Sequence, residues 1–136
     1  MLNIKEVQKK IISTEGGEVR HFLKDTDDEF QGFGEIYFSK INKNIVRAWK
    51  YHEMMKMNLT VLKGSVLFVF FDEEKNEFRE FILNEDSAKL LSVDTNIWYG
   101  FKGIDQDNLI VNFANIKHNE SEMKRKDQSQ MDYNWK

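Results

Sequence analysis

The stretch NLTVLKGSVLFVFF, Asn58–Phe71, decides how the rest of the chain is read. It holds two runs of β-branched, leucine and aromatic residues separated by Lys63-Gly64. A β-branched or aromatic side chain fits a pleated surface, and a glycine between two such runs supplies the positive φ of a tight connection. Asn58–Leu62 and Ser65–Phe71 are therefore expected to be two strands joined as a hairpin. Ser65–Phe71 is apolar at odd and even positions alike, so that strand should be covered on both faces.

The same short period recurs on either side. Upstream, Gly34–Ser39 alternates, with Ile36 and Phe38 on one face and Glu35 and Tyr37 on the other. Ile45–His52 comes after a turn made by Asn42, Lys43 and Asn44. Downstream, the charged turn Asp72–Asn76 leads into Glu77–Leu83, then Ala88–Val93, Ile97–Phe101 and Asn108–Ala114. About eight short strands at this spacing predict an all-β chain, a jelly roll or small barrel with little helix. The best helical stretch, Ile4–Ile12, is short and poorly patterned.

The 136 residues match one domain, read as 1–136. With 40% hydrophobic and 13% aromatic residues there is material for one core. Twenty Lys and Arg against 23 Asp and Glu leave a net charge of −3 and no basic stripe, which argues against a nucleic-acid partner. The longest wholly apolar run, Val66–Phe71, is far short of the ~20 residues of a membrane-spanning helix, so no membrane partner is expected. Met1–Lys10 carries Lys5, Glu6, Lys9 and Lys10 and no apolar leader core, which gives a cytoplasmic expectation. Without cysteine there is no disulfide and no thiol nucleophile. From Lys117 to Gln130 the one apolar residue is Met123. Residues 117–136 thus read as a polar C-terminal tail, wrapping the surface or mobile, whose Tyr133 and Trp135 should dock back onto the body.

The segment richest in chemistry is Arg47–Asn58. In a regular strand Ala48, Lys50 and His52 share one face, and Arg47, Trp49 and Tyr51 the other. A lysine and a histidine on an inward face can form a proton-transfer pair, because desolvation pulls a lysine toward neutrality. On an outward face the same two residues are only a solvated edge. A metal site would need two of His21, His52 and His118 to meet beside a carboxylate such as Glu53, and no metal or other cofactor is expected. Glu15-Gly16-Gly17-Glu18 lacks dinucleotide-binding spacing and reads as a turn. Trp49, Phe68, Phe70, Phe71, Phe78 and Phe81 read as core.

Taken in order, several pieces resemble the dTDP-4-dehydrorhamnose 3,5-epimerase family, sugar-nucleotide cupins with a jelly-roll fold, and most of all its short members. They are Glu15-Gly16-Gly17, Phe33-Gly34-Glu35-Ile36-Tyr37, Val46–His52, Asn58–Gly64, Trp98-Tyr99-Gly100-Phe101 and Asp132-Tyr133-Asn134-Trp135. The resemblance runs from about Glu15 to Trp135. It implies proton abstraction beside a sugar ketone and reprotonation, on a dTDP-4-keto-6-deoxyhexose or a related sugar, for polysaccharide biosynthesis. The family's base falls on Lys50, its tyrosine acid on Asn112, its enolate-stabilising lysine on Met57 beside Lys56, its turn arginine on Gly16, and the histidine of its His-Gly-Phe element on Tyr99. Arg47 keeps the family's diphosphate-contacting arginine, and short members commonly carry histidine at the Lys50 and His52 positions. Lys50, His52 and Tyr99 are the expected catalytic residues. Arg47, Lys56, Asn58, Asn112 and Phe101 are the expected substrate contacts. The alternative is a non-catalytic cupin that binds the sugar or nucleotide sugar without the acid–base pair. The resemblance also implies a homodimer.

Overall fold

The structure is a computed structural model that describes residues 2–136. Two five-stranded antiparallel sheets make the body. Sheet one runs β1 (Ile4–Gln8), β9 (Lys89–Val93), β6 (Met57–Lys63), β11 (Asp107–Ala114), β4 (Glu35–Asn42). Sheet two runs β12 (Met123–Arg125), β5 (Val46–His52), β10 (Trp98–Gly103), β7 (Ser65–Asp72), β8 (Glu77–Asn84). A separate ribbon of β2 (Ile11–Thr14) and β3 (Gly17–Arg20) turns at Gly16, whose φ of 79° suits a residue without Cβ. This is the cupin-type jelly roll. Ile4–Ile12 is extended, forming β1 and the first residues of β2, as its isoleucines favour.

Alternation along each strand builds the core. Met57, Leu59 and Val61 of β6 meet Val66, Phe68 and Phe70 of β7 between the sheets, joined by Leu83, Leu91, Ile110 and Ala114. Each large apolar side chain buried here contributes about 1.5–3 kcal/mol. The other face of β7 is covered too. Val69 joins Trp49, Trp98 and Trp135 in a second cluster, with Leu67, Phe71, Phe78 and Tyr133 packed around it. Cover on both faces is what the unbroken apolar run of Ser65–Phe71 foretold.

The expected hairpin at Lys63-Gly64 is corrected. β6 belongs to sheet one and β7 to sheet two, and they do not pair with each other. The chain instead turns a corner at Gly64, where φ is +78° and a Cβ would lie 2.2 Å from the Asn108 side-chain oxygen. Asn108 secures that corner. Its Oδ1 accepts from the Ser65 amide at 2.8 Å, and its Nδ2 donates to the Ile41 and Asp105 carbonyls, both at 2.9 Å. The glycine thus signals close packing between sheets rather than a two-residue loop.

The tail after Asn115 wraps the surface in an ordered path. Asn119 caps a short 3-10 turn at Glu120–Glu122, β12 adds to the free edge of β5, and Trp135 seats against Gly100.

Candidate active site

The site begins with an irregularity in β5. Across the β5–β10 ladder Lys50 faces Tyr99 and Ala48 faces Gly100, so β5 carries one extra residue at Trp49. Directly opposed residues of an antiparallel pair point to the same face, and a bulge inverts that alternation from one side of itself to the other. Tyr99 lies in the inner core, and Phe101 packs against it. Their partners Lys50 and Arg47 therefore share the inner face with His52, whereas Ala48 joins Trp49 and Tyr51 outside. Simple alternation holds for Lys50 and His52. It is corrected for Arg47 and Ala48, because the extra residue inverts the pattern before it.

His52, Tyr99 and Glu122 meet in a buried chain. His52 Nδ1 lies 2.6 Å from Glu122 Oε2, and His52 Nε2 lies 3.1 Å from the Tyr99 hydroxyl. Glu122 Oε1 accepts from the Met54 and Met55 amides at 3.0 and 2.9 Å. Burial alone would raise the Glu122 carboxyl, but the bonds from His52 and the two amides outweigh it and hold it below its ordinary range. Burial lowers the His52 imidazole in turn, despite the carboxylate beside it. An ionised glutamate only accepts hydrogen bonds, so Nδ1 carries the imidazole proton and Nε2 is left to accept from Tyr99. Burial pushes the Tyr99 hydroxyl up and keeps it protonated. The arrangement is an acid–base relay, with a carboxylate fixing the tautomer of a histidine that can draw a proton from a tyrosine.

A cationic rim lies above the relay. Lys50 is half-buried between Tyr99 on β10 and Arg125 on β12, the residues opposite it in the two ladders. Burial lowers the Lys50 amine, and Arg125 and Arg47 lower it further. Arg125 donates to Glu120 at 2.7 and 3.3 Å, and that pairing pushes the Glu120 carboxyl down to about 2.

The opposite wall, from sheet one, carries Tyr37 and Asn112, which face each other across the β4–β11 ladder. Asn112 Nδ2 donates to the Tyr37 hydroxyl at 2.8 Å, and Met55 Sδ lies 3.8 Å from that hydroxyl. Asn112 Oδ1 is buried with no protein partner among the described residues. Tyr37 went unforeseen as a site residue, although its alternation against Ile36 and Phe38 was legible. Glu122 and Arg125 went unforeseen as well, since nothing in a polar tail tells which of its charges turns inward.

The structure brings together Lys50, His52, Tyr99, Arg47, Asn112 and Phe101. It does not bring Lys56 and Asn58 to them. Asn58 lies in β6 between the inward Met57 and Leu59 and points to the outer face, donating to the Glu29 carbonyl at 3.0 Å. Lys56 sits on the same side, 3.9 Å from Asp94. Both line a separate cavity of about 240 Å3 with Lys5, Gln31 and Ser92. The histidines also stay apart. His118 is exposed beside Glu120, and the His21 amide bonds the Lys10 carbonyl. No cluster of three His, Asp or Glu with metal-binding geometry occurs among the described residues.

No family model matches the chain. Over 124 residues it is 24% identical to the probable low-salt glycan biosynthesis epimerase Agl13 of Haloferax volcanii, covering 83% of this chain and 80% of that protein. A dTDP sugar isomerase from Desulfovibrio desulfuricans G20 is 31% identical and superposes with a TM-score of 0.88, over 97% of this chain and 90% of its own. The chain belongs to the dTDP-sugar epimerase and isomerase family. The same fold carries the sugar 3,4-ketoisomerase QdtA of Thermoanaerobacterium thermosaccharolyticum, at 20% identity and a TM-score of 0.81 over 96% of this chain and 93% of that one.

Proposed function

We propose that the chain is a nucleotide-sugar epimerase or isomerase that moves a proton next to the ketone of a dTDP-4-keto-6-deoxyhexose or a related sugar, in the making of a polysaccharide. The observation that carries this reading is the buried Glu122–His52–Tyr99 chain facing a second hydroxyl, Tyr37, across the barrel. Deprotonation beside a ketone needs a base on one face and a proton donor for return. Tyr99 takes the substrate proton as its own passes to His52 Nε2, and the imidazolium so formed is held by Glu122. Tyr37, polarised by the Asn112 amide, returns a proton from the opposite wall. Arg47 and Arg125 suit the diphosphate, since a guanidinium fork binds phosphate oxygens two at a time. Phe101 lines the wall, and the unpaired Asn112 Oδ1 offers an acceptor to a sugar hydroxyl.

The relay favours catalysis over a binding-only role, because a module that merely holds a sugar has no use for a buried carboxylate–imidazole–phenol chain. The test is proton exchange in D2O with dTDP-4-keto-6-deoxyglucose, monitored by NMR. Enzyme-dependent deuterium at C3 or C5 is expected. Appearance of a 3-keto product would narrow the reaction to 3,4-ketoisomerisation. Binding without exchange would leave the non-catalytic cupin as the right reading.

A homodimer belongs to the same proposal. The β2–β3 ribbon projects with Ile11, Ile12 and Val19 exposed, and sheet one exposes Ile36, Phe38 and Leu62 on its outer face. Apolar surface of this extent on one side is commonly covered by a second copy. Light scattering at twice the 16.2 kDa chain mass is expected, and a monodisperse monomer would end this part of the proposal. A cytoplasmic address completes it. No helix among the described residues is long and apolar enough to cross a membrane.

A further inference from the structure

Lys50 is a poor structural residue where it stands. It is half-buried, flanked by Arg47 and Arg125 on one face, and has no carboxylate within ion-pair distance among the described residues. The nearby carboxylate Glu120 is already held by Arg125 through both of its oxygens. A surface lysine normally keeps its ammonium in water or against an acid, and an unpaired ammonium among guanidinium groups is repelled. Groups that face Lys50 from the packed strands are Tyr99 on β10 and Arg125 on β12, with His52 two residues along β5. None of them neutralises it. Burial and two cationic neighbours are the conditions that turn a lysine amine into a nucleophile toward carbonyls. Those neighbours lower its proton affinity.

We propose that Lys50 forms a Schiff base with the substrate ketone, so that the proton shift runs through an enamine rather than an enolate. This rests on the nucleotide-sugar reading above. The lone pair of neutral Nζ bonds to the ketone carbon. The ketone oxygen leaves as water, taking one proton from the amine and one from solvent, and a protonated imine remains. The electrons of the adjacent C–H bond then move into the C=N+ unit and give a neutral enamine. The released proton goes to the Tyr99 oxygen while the Tyr99 proton passes to His52. Reprotonation of the carbon restores the imine, and water expels the amine with the ketone regenerated. Nothing is oxidised or reduced. The role explains why an amine can replace an imidazole at this place without ending the chemistry. The relay two residues away supplies the base, and the amine supplies the electron sink.

The experiment is borohydride trapping with dTDP-4-keto-6-deoxyglucose, read by intact mass and peptide mapping beside the D2O exchange measurement. The expected result is a covalent adduct equal to substrate minus one oxygen, on Lys50, suppressed by excess TDP. Lys50→Arg keeps charge and length and should lose both adduct and exchange while still binding TDP. Lys50→Met provides a second variant should the first fail to fold. Exchange in the unaltered protein without any adduct, or undiminished exchange in Lys50→Arg, overturns the Schiff base and leaves the epimerase reading standing. Absence of both exchange and adduct in the unaltered protein overturns the two together.

Discussion

Trp49 and His52 stand three residues apart on β5 and live on opposite sides of sheet two. Outside, Trp49 packs against Trp135, Phe78 and Tyr133 at ring-centroid distances of 5.2, 5.6 and 6.1 Å. That side is a continuous apolar and aromatic cluster, with charged groups at its edge, where the Tyr133 hydroxyl meets Glu80 and Lys126 lies over the Trp98 ring. Inside, His52 is equally buried but spends every polar atom on a directed partner. Yet one segment finishes both sides. The chain after Asn115 supplies Glu122 to the inner cluster and Trp135 to the outer one. The outer cluster is thus a clamp that fixes the tail, and the fixed tail orients the imidazole. Stability and chemistry are separable by residue but joined through a single stretch of backbone.

That division can be broken most sharply at Glu122. In Glu122→Gln the side chain keeps an oxygen for the Met54 and Met55 amides but turns an N–H toward His52 Nδ1. The imidazole must then take the other tautomer and can no longer accept from Tyr99. C3 or C5 exchange should fall about 10^3–10^4-fold with near-UV circular dichroism unchanged. A loss under tenfold would mean that the relay is not the base.

The outer side should answer in the opposite way. Trp49→Ala removes a side chain that is 1% exposed and should cost about 3–5 kcal/mol, read as a lower urea midpoint at constant slope. Per folded molecule its exchange rate should drop far less than that of Glu122→Gln. Equal losses in both would show that the two sides are not separable.

Gly100→Ala probes the join itself. A Cβ there would lie 2.6 Å from the Ala48 Cβ and 3.0 Å from a Trp135 ring carbon, so β5 must shift at Ala48 and the Trp135 ring of the tail must give way with it. A destabilisation of about 1–3 kcal/mol is expected, accompanied by slower exchange as Glu122 shifts with the tail. Slower unfolding or unchanged exchange would contradict the clamp.

Acid should reveal the inner side more gently. His52 has its proton affinity lowered in the fold from an ordinary 6.5, so below pH 6.5 the unfolded chain binds more protons. Glu122, lowered from 4.5, adds an effect of the same sign further down. Melting temperature should fall as pH drops through this window. In Glu122→Gln the part of the fall below pH 4.5 should be lost, whereas the part set by His52 should remain, because the carboxylate that opposes the lowering of the imidazole is gone. A midpoint flat between pH 7 and 4 would refute the neutral-imidazole assignment.

The strands of the body were legible because their alternation is physical. Gly34–Ser39, Ile45–His52, Ser65–Phe71 and Asn108–Ala114 all became strands within a few residues of their expected ends. Three features were not legible. Gly64 looked like a hairpin because local sequence carries no record of which sheet a strand joins. Arg47 looked outward because one extra residue at Trp49 inverts a period of two. Lys56 and Asn58 looked like substrate contacts through the resemblance, but sequence neighbours of an inward residue in a strand point outward. Within the site, Lys50, His52 and Tyr99 were named from types and spacing together with the resemblance, and the structure sets them side by side. Glu122 was not, because a carboxylate 70 residues from its imidazole leaves no periodic mark.

That separation of 70 residues bears on how the molecule is made. His52 emerges from the ribosome early, with most of the barrel still to come, and the carboxylate that gives it a defined tautomer emerges after nearly all the strands of both sheets. Loop closure over such a distance is a late event in folding. A chain interrupted or clipped between Ala114 and Glu122 would hold nearly all of its strands and yet carry an imidazole with no orientation. The buried chain of Glu122, His52 and Tyr99 is therefore completed only once the barrel around it is built, and an unfinished molecule holds its imidazole without the carboxylate that orients it.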